Sequence, residues 1–292
     1  MTRLLIVCIF TAVIHSIDAL YYSSRIAAVR VRKLGIALTL FNMLLLFSRF
    51  ANTIQAPLTG SLVDRAMYGY AHTVPGSVLS SLAGQFRYVI LAATIGSVIG
   101  ALLVPSFIRI FTRVLTIFER EASVFKLFKR LFRGRTYRIL LESARPPRFK
   151  RPEEHAKANI PKGFLIANVI VVAVYTTGVL STIYSGALIP DHRLTADNLS
   201  GIVNVIATFL LILLVDPIIA LITDQAIAGE RTEHDVKVMV WYLVAGKIIG
   251  TVLAQFIFLP AAGFIASAAQ VIAKPSTIMH ISNFAPFFQR WL

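Results

Sequence analysis

The sequence predicts an all-α, polytopic integral membrane helix bundle with about six transmembrane helices. Of its 292 residues, 57% are hydrophobic and only 15% are charged, and the mean hydropathy is +0.73. Six apolar stretches are long enough to cross a bilayer, and lysine and arginine are concentrated in alternate loops between them. This balance excludes an ordinary soluble domain.

Each predicted span has at least the roughly 20 mostly apolar residues that a membrane helix needs. The first span does not resemble a cleaved signal peptide, because Ile17 and Ala19 do not form a small-residue cleavage site. We therefore expect it to be retained as a helix. The six spans cover residues 4–24, 34–57, 86–111, 163–188, 199–222 and 237–262.

The spans divide the chain into a first three-helix half (1–112), a basic amphipathic loop (113–162), a second three-helix half (163–264) and a C-terminal tail (265–292). Prolines interrupt the tail, and we expect it to be interfacial or re-entrant. Two halves of three spans would have opposite orientations, as in the inverted 3+3 repeats of many transporters. Small residues recur in the third span of each half, but close packing alone also explains them. These are Ala92, Gly96, Gly100, Gly246, Gly250 and Ala254.

The formal net charge is +15, with 29 lysines and arginines against 14 acids. In so apolar a chain this excess indicates topology and contact with anionic lipids, and we expect no nucleic-acid partner. Fourteen lysines and arginines lie between Arg113 and Lys162, whereas the second and fourth loops hold only Arg65 and Arg193. The positive-inside rule then places the loop 113–162 in the cytoplasm and both termini outside.

The segment from Arg113 to Leu141 places apolar residues at helical spacing with basic residues between them. This pattern predicts a basic amphipathic helix. Such a helix either lies on the anionic inner leaflet or captures an anionic lipid head directly.

Polar side chains follow one face of the first span. Thr11, His15, Asp18, Tyr22 and Arg25 are separated by steps of four, three, four and three residues. Because charged groups in lipid are costly, we expect this face to point into the bundle. The histidine and the aspartate either relay protons or form a fixed hydrogen-bonded pair.

The second span carries Asn42, Arg49, Asn52 and Gln55 within about 140° of one another on a helical wheel. Arg49 lies roughly 22 Å along the helix from Leu34 at 1.5 Å per residue, which is too deep for easy contact with the interface. Its guanidinium either binds a phosphate through two hydrogen bonds or pairs with an acid on another helix.

The last two spans add charges of opposite sign. Asp216 precedes Pro217 in the fifth span, and Pro217 predicts a kink because it frees the carbonyl four residues earlier. Lys247 lies near the middle of the sixth span. We expect Asp216 and Lys247 to form an internal ion pair.

The sequence lacks the motifs of soluble enzymes. There is no Walker A motif, no G-x-S-x-G and no H-E-x-x-H, and the single cysteine, Cys8, excludes a disulfide framework. We expect no catalytic residues, no metal site and no cofactor.

Residues 15–64, HSIDALYYSSRIAAVRVRKLGIALTLFNMLLLFSRFANTIQAPLTGSLVD, resemble the N-terminal half of the Amj family of bacterial alternate lipid II flippases. The rest of the chain agrees with that family in length and in the layout of its spans. The resemblance implies a multi-pass protein of the bacterial plasma membrane that moves the undecaprenyl-linked disaccharide-pentapeptide from the inner to the outer leaflet in peptidoglycan biosynthesis. It implies no particular site residues.

A flippase of this kind needs a polar intramembrane cavity as its route, cations that offset the lipid diphosphate and a lateral opening for the polyprenyl tail. We expect Arg49 to face this cavity. The candidates for contact with the substrate are Arg25, Asn42, Arg49, Asn52, Gln55 and Lys247. The candidates for ion coupling or intramembrane ion pairing are His15, Asp18 and Asp216.

Two other classes of protein fit the same sequence. A membrane scaffold or regulatory subunit would use the buried charges only for structure. A membrane-embedded polyprenyl-phosphate enzyme would need an acid/base cluster at one membrane face. Only the second loop and its flanks contain residues that could form such a cluster. The residues concerned are Asp64, Arg65, His72 and Arg87.

The charge bias predicts the topology. In a background without Cys8, we expect a cysteine at Ser143 to be protected from a membrane-impermeant thiol reagent in intact cells and to be labelled after lysis. Labelling of that cysteine from outside intact cells would reverse the predicted orientation.

Overall fold

The computed structural model describes residues 2–121, 123–131 and 160–274. These residues form helices joined by short connections, with a 3₁₀ turn at Pro190–His192 and a π-helical turn at Leu211–Val215. The helices are α1 (Thr2–Val31), α2 (Leu34–Ala66), α3 (Gly76–Glu121), α4 (Val124–Leu131), α5 (Lys162–Leu188), α6 (Arg193–Leu210), α7 (Asp216–Ala228) and α8 (Glu233–Ala273).

Six helical segments of the described chain are long and apolar enough to cross a membrane, which confirms the predicted number of spans. Five of them are α1, α2, α3, α5 and α8, and the remaining one is the composite segment Pro190–Ala228. A helix satisfies its own backbone hydrogen bonds, which is why apolar segments of this length cross lipid in this form.

Two helices extend past the predicted ends of their membrane spans. The third membrane helix continues to Glu121, so the first residues of the predicted amphipathic segment belong to α3, and α4 is a separate short helix. Likewise α8 continues to Ala273, past the boundary placed at residue 264. The remainder of the predicted loop and tail lies outside the described residues.

Glycines bring the first and third membrane helices of each half into backbone contact. A Cβ atom at Gly100 of α3 would lie 2.6 Å from the carbonyl oxygen of Ser16 in α1. In the second half, a Cβ atom at Gly250 of α8 would lie 2.8 Å from the carbonyl oxygen of Val169 in α5. In each half, the second membrane helix packs against the first. This shared arrangement supports the inverted repeat, which stays a prediction.

The two halves meet through aromatic side chains and through ion pairs at both ends. Phe86, Tyr184 and Phe258 pack together from α3, α5 and α8, with ring centroids 5.3 to 6.2 Å apart. We call the end of the bundle that holds the α1–α2 connection the basic side, and there Arg30 pairs with Glu233 at 2.8 Å. Exposed pairs of this kind contribute little to stability, so the packed interior contributes more to the contact between the halves.

The opposite end has two further contacts between the halves. Arg193 at the start of α6 pairs with Asp64 of α2 at 2.6 Å. His72 in the α2–α3 connection contacts Asp191 at 2.6 Å. Both contacts hold the end of α2 against the turn between α5 and α6.

The composite fifth span changes its hydrogen bonding where the sequence predicts a kink. The π-helical turn Leu211–Val215 ends directly before Asp216 and Pro217. Proline has no N–H to donate to the carbonyl four residues earlier, so a wider turn at this point is the expected response.

The close approach of α1 and α3 predicts a sensitive position. Replacement of Gly100 with alanine should destabilise the protein by about 1 to 3 kcal/mol, because the added methyl group meets backbone that cannot move away. Gly84→Ala in the same helix is the matched control, since nothing lies within 4 Å of its Cβ position. Thermal unfolding in detergent measures both, and equal stability of the two variants would contradict the packing described.

Candidate functional site

The polar face of α1 points into the bundle and contacts several other helices. The Tyr22 hydroxyl donates a hydrogen bond of 3.0 Å to Oδ1 of Asn168 in α5. Nδ2 of the same asparagine donates to the carbonyl oxygen of Leu243 in α8 at 3.1 Å. Tyr22 is 7% exposed and Asn168 is fully buried, so this chain of hydrogen bonds joins α1, α5 and α8 inside the bundle.

Lys247 of α8 and Asp18 of α1 form an ion pair in the membrane interior. The Lys247 Nζ atom lies 3.7 Å from Oδ2 of Asp18, and Ser48 of α2 donates a hydrogen bond of 3.4 Å to Oδ1 of the same carboxylate. The lysine side chain is only 7% exposed, whereas the aspartate side chain is 37% exposed. The expected pairing of Lys247 with Asp216 is therefore wrong, because α1 and not α7 presents the nearest carboxylate.

This ion pair lies deep along its helices. Asp18 is roughly 20 Å from the basic end of α1, and Lys247 is roughly 21 Å from the basic end of α8, at 1.5 Å per residue. Arg49 lies roughly 22 Å from the basic end of α2. The three charged residues therefore have a similar depth.

Arg25 forms a second polar centre nearer the basic side. Its Nη2 donates to the Tyr21 hydroxyl at 2.8 Å, and its guanidinium lies 5.3 Å from the centroid of that ring. The residue is 4% exposed, and its charge acts on the carboxylate of Asp216 in α7. Among the described residues, Oδ1 of Asp216 is buried without a hydrogen-bond partner. Arg25 therefore lies within the helix packing and not on an open surface.

His15 is close to the Lys247–Asp18 pair but does not share a hydrogen bond with it. Its Nδ1 atom is buried and has no hydrogen-bond partner among the described residues. The charge of Lys247 acts on the imidazole. The expected alternative of a fixed hydrogen bond between His15 and Asp18 does not appear in the described part of the chain, where the carboxylate contacts Lys247 and Ser48 instead.

The polar side chains of α2 divide into two groups. Gln55 points to α1 and donates a hydrogen bond of 2.7 Å to Oγ1 of Thr11. Asn42, Arg49 and Asn52 are exposed on the bundle surface. Arg49 follows Ser48 directly, so it lies about 100° around α2 from the residue that contacts Asp18.

The sequence interpretation missed Asn168 and Ser48. Asn168 is the amide that links three helices, and its signal was an asparagine inside an otherwise apolar span. Ser48 gave no comparable signal, because an isolated serine in a membrane helix most often bonds to its own backbone.

The interior site thus contains two carboxylates, Asp18 and Asp216, and two cations, Arg25 and Lys247. An anion can bind to one of these cations only by replacing the carboxylate that faces it, because an added charge in the membrane interior must be compensated. No group of three histidine, cysteine, aspartate or glutamate residues in the described ranges could hold a metal ion.

Fold and site together define a multi-pass helical membrane protein with a charged, hydrogen-bonded interior. The family model described as Amj, Alternate to MurJ, matches residues 10–269, so the chain belongs to the Amj family. One relative, named Lipid II flippase Amj, from Bacillus subtilis (strain 168), is 34% identical over 266 residues. The alignment covers 91% of this chain and 96% of the relative. No solved structure matches the chain.

The buried ion pair predicts unequal effects of its two single replacements. Asp18→Asn should destabilise the protein by about 3 kcal/mol or more, since it leaves a buried ammonium unpaired. Lys247→Met should cost less, because the carboxylate that it leaves is partly exposed. The double variant should recover much of the loss, as measured by thermal unfolding in detergent. Strictly additive losses would show that the two residues do not interact.

Proposed function

We propose that this protein is a lipid II flippase of the bacterial plasma membrane. It moves the undecaprenyl-diphosphate-linked disaccharide-pentapeptide from the inner to the outer leaflet for peptidoglycan synthesis. The name of the Bacillus subtilis relative supports this, because the similarity extends over nearly the full length of both chains. The six membrane spans and the charged interior support transport across the bilayer.

The observation that carries the proposal is the ion pair between Lys247 and Asp18 deep in the membrane. A lipid diphosphate that crosses the hydrocarbon needs cations at that depth to offset its charge. Lys247 provides an ammonium in the interior, and Arg49 provides a planar guanidinium at a similar depth on the surface of α2. These two cations are our candidates for direct contact with the diphosphate.

The route for the polar head follows α1 and the adjoining flank of α2. Asn42 and Asn52 are exposed on the same flank as Arg49 and offer amide groups to sugars and to peptide. Because these side chains are exposed on the surface of the bundle, the polyprenyl tail can stay in lipid while the head passes along them. Arg25, in contrast, is buried against Tyr21, and we assign it to holding α1 and α7 together.

The short helix α4 supports the predicted contact with the anionic leaflet. Its Leu127 is buried against the bundle, whereas Phe125 is 80% exposed and Lys126 and Lys129 are exposed. An exposed aromatic side chain beside two lysines suits the interface of an anionic membrane. In the proposed orientation, this side faces the cytoplasm.

The geometry favours a transporter over an enzyme. The residues that hinted at an acid/base cluster contact separate partners: Asp64 pairs with Arg193, His72 contacts Asp191, and Arg87 donates to a backbone carbonyl of α8. A scaffold would also retain the interior charges, but it would not require exposed Arg49 at mid-depth.

The proposal predicts a cellular phenotype. In bacteria that lack every other lipid II flippase, this protein should restore lipid II at the outer surface without hydrolysing it. Arg49→Lys keeps the charge but loses the planar pair of donors, so we expect it to lower the flux by about tenfold. A surface-accessibility assay for lipid II measures both effects.

Arg65→Lys is the matched control, because Arg65 lies on α2 beyond the apolar part of the span. It should support normal flux at the same protein level. Hydrolysis of lipid II would favour the enzyme, and absence of any flux with the protein in the membrane would favour the scaffold. Full flux with Arg49→Lys would remove Arg49 from the substrate route.

A further inference from the structure

The cation best placed to bind a phosphate in the interior already has an anionic partner. Lys247 faces Asp18, and no other carboxylate of the described chain forms an ion pair with it. The Nζ to Oδ2 distance of 3.7 Å exceeds the roughly 2.7 to 2.9 Å of a charge-assisted hydrogen bond. The contact is therefore an ion pair without a tight hydrogen bond, and another anion can replace the carboxylate without a strong bond being lost.

The two side chains also differ in access. The lysine is 7% exposed and the aspartate is 37% exposed, so the carboxylate is the more accessible of the two charged groups. Ser48 holds the other carboxylate oxygen from α2, at the position next to Arg49.

We propose that the Asp18 carboxylate occupies the position beside the Lys247 ammonium where a phosphate of the substrate binds. Asp18 pairs with Lys247 when no lipid is bound. The diphosphate of the substrate displaces it from the ammonium, and Asp18 pairs with Lys247 again when the lipid leaves. This inference rests on the proposed function, because it states which anion pairs with Lys247 when no substrate is bound. No covalent bond forms or breaks in the exchange.

The exchange avoids an unpaired charge in the hydrocarbon. A bare ammonium in the membrane interior costs at least about 2.5 to 3.5 kcal/mol on insertion scales. With Asp18 present, Lys247 has an anionic partner both before and after transport. The displaced carboxylate keeps the Ser48 hydrogen bond and its partly exposed position.

The groups around Lys247 include no other carboxylate of the described chain that pairs with it, so Asp18 is the anion that a substrate would displace. On α1 itself, His15, Tyr22 and Arg25 share its face, and Arg25 acts on Asp216 of α7. The other helices contribute neutral groups here: α2 contributes the Ser48 hydroxyl, α5 contributes the Asn168 amide, and α3 packs through glycines. Arg25 is 4% exposed and donates to the Tyr21 hydroxyl, and among the described residues Asp18 is the carboxylate that pairs with Lys247.

Binding of fluorescent lipid II to the full-length protein in phosphatidylcholine nanodiscs tests this inference. Asp18→Asn removes the competing anion, so the dissociation constant should fall about fivefold or more. Lys247→Gln should raise it by a similar factor or more. Glu233→Gln is the matched control, because Glu233 is a carboxylate of similar exposure that pairs with Arg30 and Lys237 at the basic end. It should leave the dissociation constant unchanged.

Asp18→Glu covers the case in which Asp18→Asn does not fold. It keeps the charge and adds a methylene group that can close the 3.7 Å gap to the ammonium, so lipid II should bind more weakly than to the wild-type protein. A purely structural ion pair predicts no gain in affinity for Asp18→Asn and no loss for Asp18→Glu, and either result overturns the inference.

The outcome for the wild-type protein separates the two proposals. Wild-type protein that neither binds nor moves lipid II would refute the proposed function itself. Wild-type protein that binds and moves lipid II, together with unchanged or weaker binding by Asp18→Asn, would refute only the exchange. Tighter binding combined with slower flipping by Asp18→Asn supports both the proposed function and the exchange. In that variant no carboxylate is present to displace the lipid from Lys247, so its release is slower.

Discussion

A lysine buried in the membrane interior is the constraint on which the rest of this structure depends. Lys247 must face an anion because an unpaired ammonium in hydrocarbon is costly. Asp18 provides that anion from the other end of the sequence, so α1 and α8 are neighbours. Next to this pair, Tyr22 of α1 also finds its hydrogen-bond partner in the second half, the Asn168 amide of α5.

Close backbone packing brings the helices near enough for these polar side chains to contact one another. Lipid chains are as apolar as leucine side chains, so membrane helices associate through van der Waals packing and hydrogen bonds more than through the hydrophobic effect. Gly96 and Gly100 bring α3 against α1, and the hydroxyl of Ser16 donates to the carbonyl oxygen of Gly96 at 2.8 Å. Gly246 lies beside the Asn168 amide in the same way. The glycine contacts and the polar interior therefore stabilise the same arrangement of helices.

The difference in burial among the cations connects this arrangement with transport of an anionic lipid. Arg25 and Lys247 are buried and paired, whereas Arg49 is exposed at a depth similar to that of Lys247. In the proposed function, a lipid diphosphate beside α2 would contact the exposed Arg49 and then Lys247, which Asp18 faces. The family match over residues 10–269 extends to the second half of the chain, which supplies Lys247, Asn168 and Asp216.

The number of spans and the inward polar face of α1 were predictable from the sequence, because hydropathy and the 3.6-residue period are local properties of the chain. The partner of Lys247 was not predictable, since periodicity shows which face is polar but not which helix lies opposite. The helices α3 and α8 extend beyond the predicted ends of their spans, because the length needed to cross a bilayer does not determine where helical hydrogen bonding stops. Only the tertiary structure decided that Asp18 pairs with Lys247, that Arg25 is buried and that Arg49 is exposed, because each depends on which helices are in contact.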